Sequence, residues 1–243
     1  MKFRLDGKIA LIVGAGSGIG KATAEAMTAQ GATVAGADIK GAEYTLDIRD
    51  PQAIAATVDA VVAKHGTIDI LVVTPAINVR KKLLQYTDEE LDRVVDLNLK
   101  ANFRIARAVA DVMTRNPNGG SIVLTSSIRS VTVEQGQGIY AATKASLVQL
   151  ARAFAVELAP LNIRVNAIAP GIVETPLTLQ IKSNEAWYSA YANRNAMKRW
   201  AQPEEMAWPI VFLSSPAASY VTGTVLFVDG GWTGIDGRFD PPL

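Results

Sequence analysis

The chain has no cysteine and a single histidine, which excludes a disulfide framework, thiolate nucleophiles and the usual sulfur and imidazole sets for a metal. His65, in Ala63-Lys64-His65-Gly66-Thr67, reads as a solvated residue at a helix end. The charges nearly cancel, 24 Lys and Arg against 23 Asp and Glu, and no long basic stretch occurs, so nothing electrostatic invites a nucleic acid or an anionic membrane. No apolar run is long enough to cross a bilayer. Internal repeats, low-complexity segments and linkers are also missing, which predicts one domain over residues 1–243. The first residues run straight into an apolar strand-like segment, so no signal peptide is expected. A cytoplasmic location is expected, and zero cysteines is compatible with a reducing compartment.

What is present is a large apolar fraction, 49% of 243 residues, enough to bury a substantial core. Strand-like runs at Lys8–Val13, Ala32–Ala37, Glu43–Leu46, Ile68–Val73, Ser121–Thr125, Arg164–Ala169 and Thr224–Val228 alternate with helical stretches. The helices are predicted at Ile19–Gln30, Pro51–His65, Asp88–Arg115, Tyr140–Leu158 and Pro203–Leu213. Such alternation predicts an α/β fold with a doubly wound parallel sheet. Between Asp38 and Asp47 there is room only for a turn.

Four features carry chemistry. Tyr140 and Lys144 are four apart on a helix, so both side chains leave the same face about one turn apart. A free phenol titrates near ~10, and an adjacent ammonium favours the phenolate, so this pair is suited to moving a proton. Gly14, Ser17, Gly18, Ile19 and Gly20 lie between an apolar strand and a helix, where glycines let a pyrophosphate approach backbone amides. Ser127 follows the strand-like Ser121–Thr125 on the rim where parallel sheets bind ligands. Asn98 sits in Asp96-Leu97-Asn98-Leu99, a pattern open to a helix cap or a kink as well as to a site.

Together these motifs resemble the short-chain dehydrogenase/reductase family over nearly the whole chain. The resemblance extends through Asp47-Ile48, Ile163–Gly171, Thr175 and Thr222–Gly231 in order and spacing. It implies a Rossmann-type fold and reversible hydride transfer between a secondary alcohol and a ketone. Tyr140 would then exchange the hydroxyl proton, Lys144 would lower its pKa and hold the cofactor ribose, Ser127 would bond the substrate oxygen and Asn98 would hold a relay water. No metal is implied. The cofactor would be held by the glycine turn, Asp38, Ile39, Asp47, Ile48, Thr74, Pro75, Ala76, Tyr140, Lys144, Pro170, Gly171, Ile172, Val173 and Thr175. A homotetramer is implied, with the C-terminal Gly237–Leu243 lying across a subunit interface, and residues 172–200 would form a lid over the substrate.

Asp38, 24 residues after Gly14, can accept bonds from adenosine ribose hydroxyls and would repel a 2′-phosphate, so NAD is expected. Ser17 and Ile39, where NADP-using relatives often carry basic residues, point the same way. Val73-Thr74-Pro75-Ala76 departs from the family's Asn-Asn-Ala-Gly, which puts local cofactor contacts in doubt before chemistry. Ile77–Leu83 and Met197–Glu205 resemble segments of gluconate 5-dehydrogenases, so a sugar acid or other hydroxy acid is the expected substrate. Arg80 and Arg129 suit its carboxylate, although either could instead pair with Glu134; Trp187 is a candidate for the pocket wall. A 3-oxoacyl-thioester reductase, a dehydrogenase of neutral polyols or cyclic alcohols, and a regulator without turnover are the alternatives.

Overall fold

In the computed structural model, which describes residues 2–235, the strands are Ile9–Val13 (β1), Thr33–Asp38 (β2), Tyr44–Thr45 (β3), Ile70–Val73 (β4), Gly120–Thr125 (β5), Ile163–Pro170 (β6) and Val225–Val228 (β7). All pair in parallel, in the order β3-β2-β1-β4-β5-β6-β7. Strands β1, β4, β5 and β6 are covered on both faces, which explains why their sequences are continuous apolar runs and do not alternate. The outer β7 is only half-buried throughout.

The helices are Gly18–Ala29 (α1), Pro51–His65 (α2), Asp88–Val95 (α3), Asn102–Thr114 (α4), Gly138–Leu158 (α5), Leu179–Lys182 (α6), Glu185–Arg194 (α7) and Pro203–Ser214 (α8). One layer packs α2, α4 and α5 against Leu11, Val13, Leu71, Ile122 and Val165 of the sheet. The other packs α1 and α8 against Ala10, Ile12, Val72, Val123 and Ile168. Each fully buried Leu, Ile or Val contributes roughly 1.5–3 kcal/mol relative to exposure, so the double layer fixes the strand ends that carry the site.

Local signals match the ends of several helices. Asp50 caps α2 by accepting from the Gln52 N–H at 2.8 Å, Pro51 opens it, and Gly66 closes it at φ 85°. Thr87 and Glu90 bond reciprocally at the start of α3. Between Asp38 and β3 the chain makes only a turn, as its length requires.

Two expectations need correction. The single helix predicted over Asp88–Arg115 is interrupted by a π-helical turn, Asp96–Ala101. Two buried asparagines account for it: Asn102 donates its amide to the Leu97 carbonyl at 3.0 Å, and Asn98 bonds outside its own helix. The region expected to form the lid, 172–200, carries α6 and α7, which build a small core of Ile181, Ala192 and Trp200, with Tyr188 stacked on Trp200 at 4.9 Å. His65 is half-buried, with an enclosed Nε2 that has no partner. The expected interface segment Gly237–Leu243 lies outside the described residues.

Candidate active site

The sheet runs outward in opposite directions from β1 and β4, and their carboxyl ends therefore open a crevice. A cleft of about 480 Å³ occupies it, walled by Gly14, Ser17, Gly18, Ile19, Asp38, Ile39, Asp47, Ile48, Thr74, Pro75, Ala76 and Thr175. The glycine turn is dense. A Cβ on Gly14 would stand 2.1 Å from the Thr74 hydroxyl, one on Gly16 2.1 Å from the Lys40 carbonyl, and one on Gly20 2.0 Å from the Gly14 carbonyl. Gly14 and Gly18 also have φ of +90° and +52°, conformations that side chains disfavour. Ser17 is the N-cap of α1 and makes no side-chain cap bond, so the first amides of that helix face the cleft without a side-chain partner. A dinucleotide's pyrophosphate fits this cradle of close backbone and free N–H groups.

Asp38 ends β2 with its carboxylate on the cleft wall, where it accepts from the Gly16 N–H at 3.0 Å and from the Lys40 N–H at 3.4 Å. Those bonds hold the carboxylate while leaving lone pairs for ribose hydroxyls. Ile39 beside it is 62% exposed. The Asp47 carboxylate is tied to Arg49 at 2.6 Å, and this pair holds it below the usual carboxylate range, so Asp47 presents an ion pair to the cleft. Thr74, in the departure from the family pattern, is self-satisfied: its N–H and its hydroxyl both donate to the Val13 carbonyl, at 3.1 and 3.0 Å. Gly20 is packed beneath the turn and is not part of the wall. Pro170 closes β6, and Val173 is buried and bridged to Ala201, so neither faces the cleft; Gly171 and Ile172 line the neighbouring cavity instead.

That second cavity, about 110 Å³, is walled by Asn78, Arg80, Ser127, Arg129, Gln137, Tyr140, Ile172, Thr178, Ile181 and Tyr191. Ser127 and Tyr140 therefore share one wall. Burial pushes the Tyr140 phenol up, against the opposing pull of the Ser127 hydroxyl and the Arg129 and Arg80 charges. Lys144 lies behind it, 1% exposed, its Nζ 5.6 Å from the centre of the Tyr140 ring and donating to the Thr125 carbonyl at 2.7 Å. Desolvation lowers this amine to about 7. Among the protein's own groups, burial outweighs the attraction at Tyr140, and at Lys144 desolvation acts alone.

Asn98 reaches neither cavity wall. Its Oδ1 accepts from the Ile77 N–H at 2.9 Å, and its Nδ2 donates to the Ile77 carbonyl at 2.9 Å and to the Thr143 hydroxyl at 3.2 Å. The side chain is thus a staple between the segment after β4 and the helix of Tyr140 and Lys144.

Both candidate arginines line the second cavity, and both bond Glu134: Arg80 at 2.8 Å, and Arg129 through its Nη2. Tyr191 donates its hydroxyl to the same carboxylate, and Gln137 donates its Nε2 at 2.6 Å. Partial burial alone would push the Glu134 carboxyl up, but bonds from Tyr191 and Arg80 and the nearby Arg129 charge hold it below its ordinary range. Trp187 does not line the cavity; it is 43% exposed, with the Arg80 guanidinium over its ring at 5.7 Å. Asn78, Gln137 and Thr178 were not among the residues expected at the site. A signal existed for Gln137, which precedes Tyr140 by one helical turn, but Asn78 and Thr178 sit in polar stretches with no distinguishing pattern.

Among the described residues no group of histidine, cysteine or carboxylate side chains could hold a metal ion, and no helix is long and apolar enough to cross a membrane. Residues 14–233 match the family described as enoyl-(acyl carrier protein) reductase. The chain is 41% identical over 247 residues to a 3-oxoacyl-(acyl-carrier-protein) reductase of Thermotoga maritima, covering 94% of this chain and 98% of that protein. It is 34% identical over 253 residues to a 2-dehydro-3-deoxy-D-gluconate 5-dehydrogenase of Pseudoalteromonas atlantica, covering 96% and 98%. Its structure is similar, at a TM-score of 0.92 and 31% identity over 96% of this chain and 98% of the other, to a gluconate 5-dehydrogenase of Burkholderia cenocepacia in complex with NADP and tartrate. Likeness that spans the whole sheet at these identities makes the chain a member of the short-chain dehydrogenase/reductase family, an oxidoreductase that works with a nicotinamide dinucleotide.

Proposed function

We propose that the chain is an NAD-dependent dehydrogenase of a hydroxy acid, with sugar acids the favoured class. The observation that carries this reading is the pair of guanidinium groups, Arg80 and Arg129, on the wall that also holds Ser127 and Tyr140. Guanidinium donors in a planar fork match a carboxylate, and here they stand beside the groups that would handle the reacting oxygen. The names of the sugar-acid relatives support the same class.

A bound nicotinamide dinucleotide supplies the hydride acceptor or donor. Tyr140 gives its phenol proton to a ketone oxygen in reduction and is left as phenolate; in oxidation that phenolate takes the alcohol proton, a form that burial of the site by itself opposes. The Ser127 hydroxyl orients that oxygen. Lys144, a buried amine lowered to about 7 by desolvation, stands behind the tyrosine ring on the Thr125 carbonyl, where its role is to hold the cofactor ribose and to favour the phenolate when charged. Asn98 acts as a positioning residue by holding Ile77 and Thr143.

Preference for NAD rests on Asp38, whose fixed carboxylate repels a 2′-phosphate. The opposing observation is that relatives bind NADP and that Arg49 and Arg93 also line the cleft. A second substrate reading, reduction of a 3-oxoacyl thioester, is favoured by the Thermotoga maritima relative. Assembly as a homotetramer and a cytoplasmic location belong to the main reading. The assembly is supported by the exposed apolar side chains Phe103 on α4 and Val156 on α5.

The test is a screen of sugar acids, small hydroxy acids, neutral polyols and cyclic alcohols with NAD and NADP, together with a 3-oxoacyl thioester and NADPH. Acids turned over best with NAD are the expected result. Best turnover of the thioester with NADPH replaces this reading with the second one.

A further inference from the structure

Arg80 and Arg129 are the charged side chains lining the 110 Å³ cavity among the described residues. Glu134 stands behind them, in the wall of an adjoining outer groove with Lys82, Leu83 and Leu84. It accepts from Arg80 at 2.8 Å, from Gln137 at 2.6 Å, and from Arg129 and Tyr191. Four donors thus converge on one carboxylate. The Arg129 side chain is 8% exposed and that of Arg80 22%, so neither guanidinium is free to turn to solvent for its counter-charge.

Each guanidinium carries five N–H donors. Arg80 commits Nη1 to Glu134 and Nη2 to the Tyr191 hydroxyl at 3.2 Å, while Arg129 commits Nη2 to Glu134 and Nη1 to Thr132 at 3.4 Å. Donors remain on both for a ligand in the cavity. The charge does not remain in full. Among these three groups, two cations and one anion leave one net positive charge, in a partly buried setting where salt screens it less than at the surface. Of the other cations nearby, Lys82 and Arg194 are exposed, Lys81 is paired with Glu90 at 2.9 Å, and Lys144 is buried behind Tyr140; none of them lines the cavity.

We propose that Glu134 sets the substrate charge of this site: as the built-in counter-ion of the Arg80–Arg129 pair it leaves a single positive charge for the ligand, and so selects a monocarboxylate over a dicarboxylate. The proposal rests on the hydroxy-acid reading for the identity of the substrate, but the charge balance of the wall exists without it. Glu134 also ties the lid to the wall, because the Tyr191 hydroxyl on α7 donates to the same carboxylate. The two roles are separable by experiment.

The experiment compares D-gluconate, D-glucarate and neutral D-sorbitol on the wild-type protein and on Glu134→Gln, which keeps an acceptor oxygen and removes the charge. Relative kcat/KM is measured with NAD, and binding of the two acids is measured by calorimetry. Wild type should prefer gluconate, and Glu134→Gln should move the glucarate-to-gluconate ratio toward glucarate by about tenfold, the scale of one added charge at a close, partly desolvated pair. Glu134→Ala, which removes the charge and every bond, should move the ratio in the same direction. Tyr191→Phe should weaken both acids alike and leave the ratio in place. If acids are turned over but neither Glu134 variant moves the ratio, or if Tyr191→Phe moves it as far, the proposal is overturned while the hydroxy-acid reading stands. If wild type turns over no acid, the hydroxy-acid reading fails and the calorimetric ratio alone decides: a shift upholds the role of Glu134, and no shift, or no binding of either acid, overturns it.

Discussion

The two cavities are built from different materials. The cleft over β1 and β4 is shaped by backbone: glycines that no side chain could replace, uncapped amides of α1, and one carboxylate held by the Gly16 N–H. The cavity beside it is shaped by side chains from four separate segments, Asn78 and Arg80, Ser127 to Tyr140, Ile172 to Ile181, and Tyr191. Backbone recognition is general and survives the loss of a single side chain. Side-chain recognition is specific and fails with one. Tyr140 stands on the side-chain wall, with Lys144 buried behind it.

The largest effect should come from that tyrosine. Tyr140→Phe should lower turnover by about 10²–10⁴-fold while leaving NADH binding, followed by fluorescence titration, nearly intact. Near-normal turnover would remove Tyr140 from the chemistry and leave the second cavity without its proton-handling group.

Next is Lys144→Met. The folded-state pKa of Lys144, about 7, lies below the ordinary lysine value of 10.5, so burial of the charged amine costs stability at and below pH 7. Between those two values the unfolded chain binds more protons than the folded one, and wild-type stability rises with pH. The Met variant should therefore be more stable than wild type by a few kcal/mol near pH 7, the gain shrinking toward zero as pH approaches 10.5. Denaturant midpoints across that range check it, and a pH-independent difference would contradict the cause.

The third substitution, Arg80→Ala, sharpens the contrast directly. On the side-chain wall it should raise KM for acids by about 2–3 kcal/mol in binding terms and leave neutral alcohols unchanged. An equal effect on both would mean that Arg80 only supports the lid through Tyr191. The smallest effect belongs to the backbone cleft: Asp38→Ala with Ile39→Arg should shift the NAD-to-NADP preference by about tenfold, because the glycine turn and helix amides continue to hold the rest of the dinucleotide. An unmoved ratio would remove Asp38 from ribose recognition.

The same division explains what could be read in the sequence. The glycine spacing, the strand and helix alternation, and the four-residue step from Tyr140 to Lys144 are local patterns, because backbone geometry is set by neighbours in the chain. The turn in place of a helix after β2 followed from length alone. The π-turn did not, since Asn102 and Asn98 look like ordinary helix residues until their partners Leu97 and Ile77 are placed. Pairing of the two arginines with Glu134 was open in the sequence, but the arrival of Tyr191 on the same carboxylate, 111 positions from Arg80, has no spacing to encode it. The upward push of burial on the tyrosine was not legible for a related reason: adjacency of Lys144 was visible, but the extent of burial is a property of the folded layers.

The Asn98 staple has a consequence for how such an enzyme can change. By gripping both the N–H and the carbonyl of Ile77, it fixes the root of the segment bearing Asn78 and Arg80 to the same frame as Thr143 and its neighbour Lys144. Beyond Arg80 the chain runs through residues 81–87 to α3 with much of its surface exposed, Leu84 fully so. Insertions or deletions there would be absorbed before they reached the proton-handling groups. The ligand repertoire can therefore drift through that outer stretch while the reacting chemistry keeps its alignment, a separation of variable and invariant parts maintained by one amide side chain.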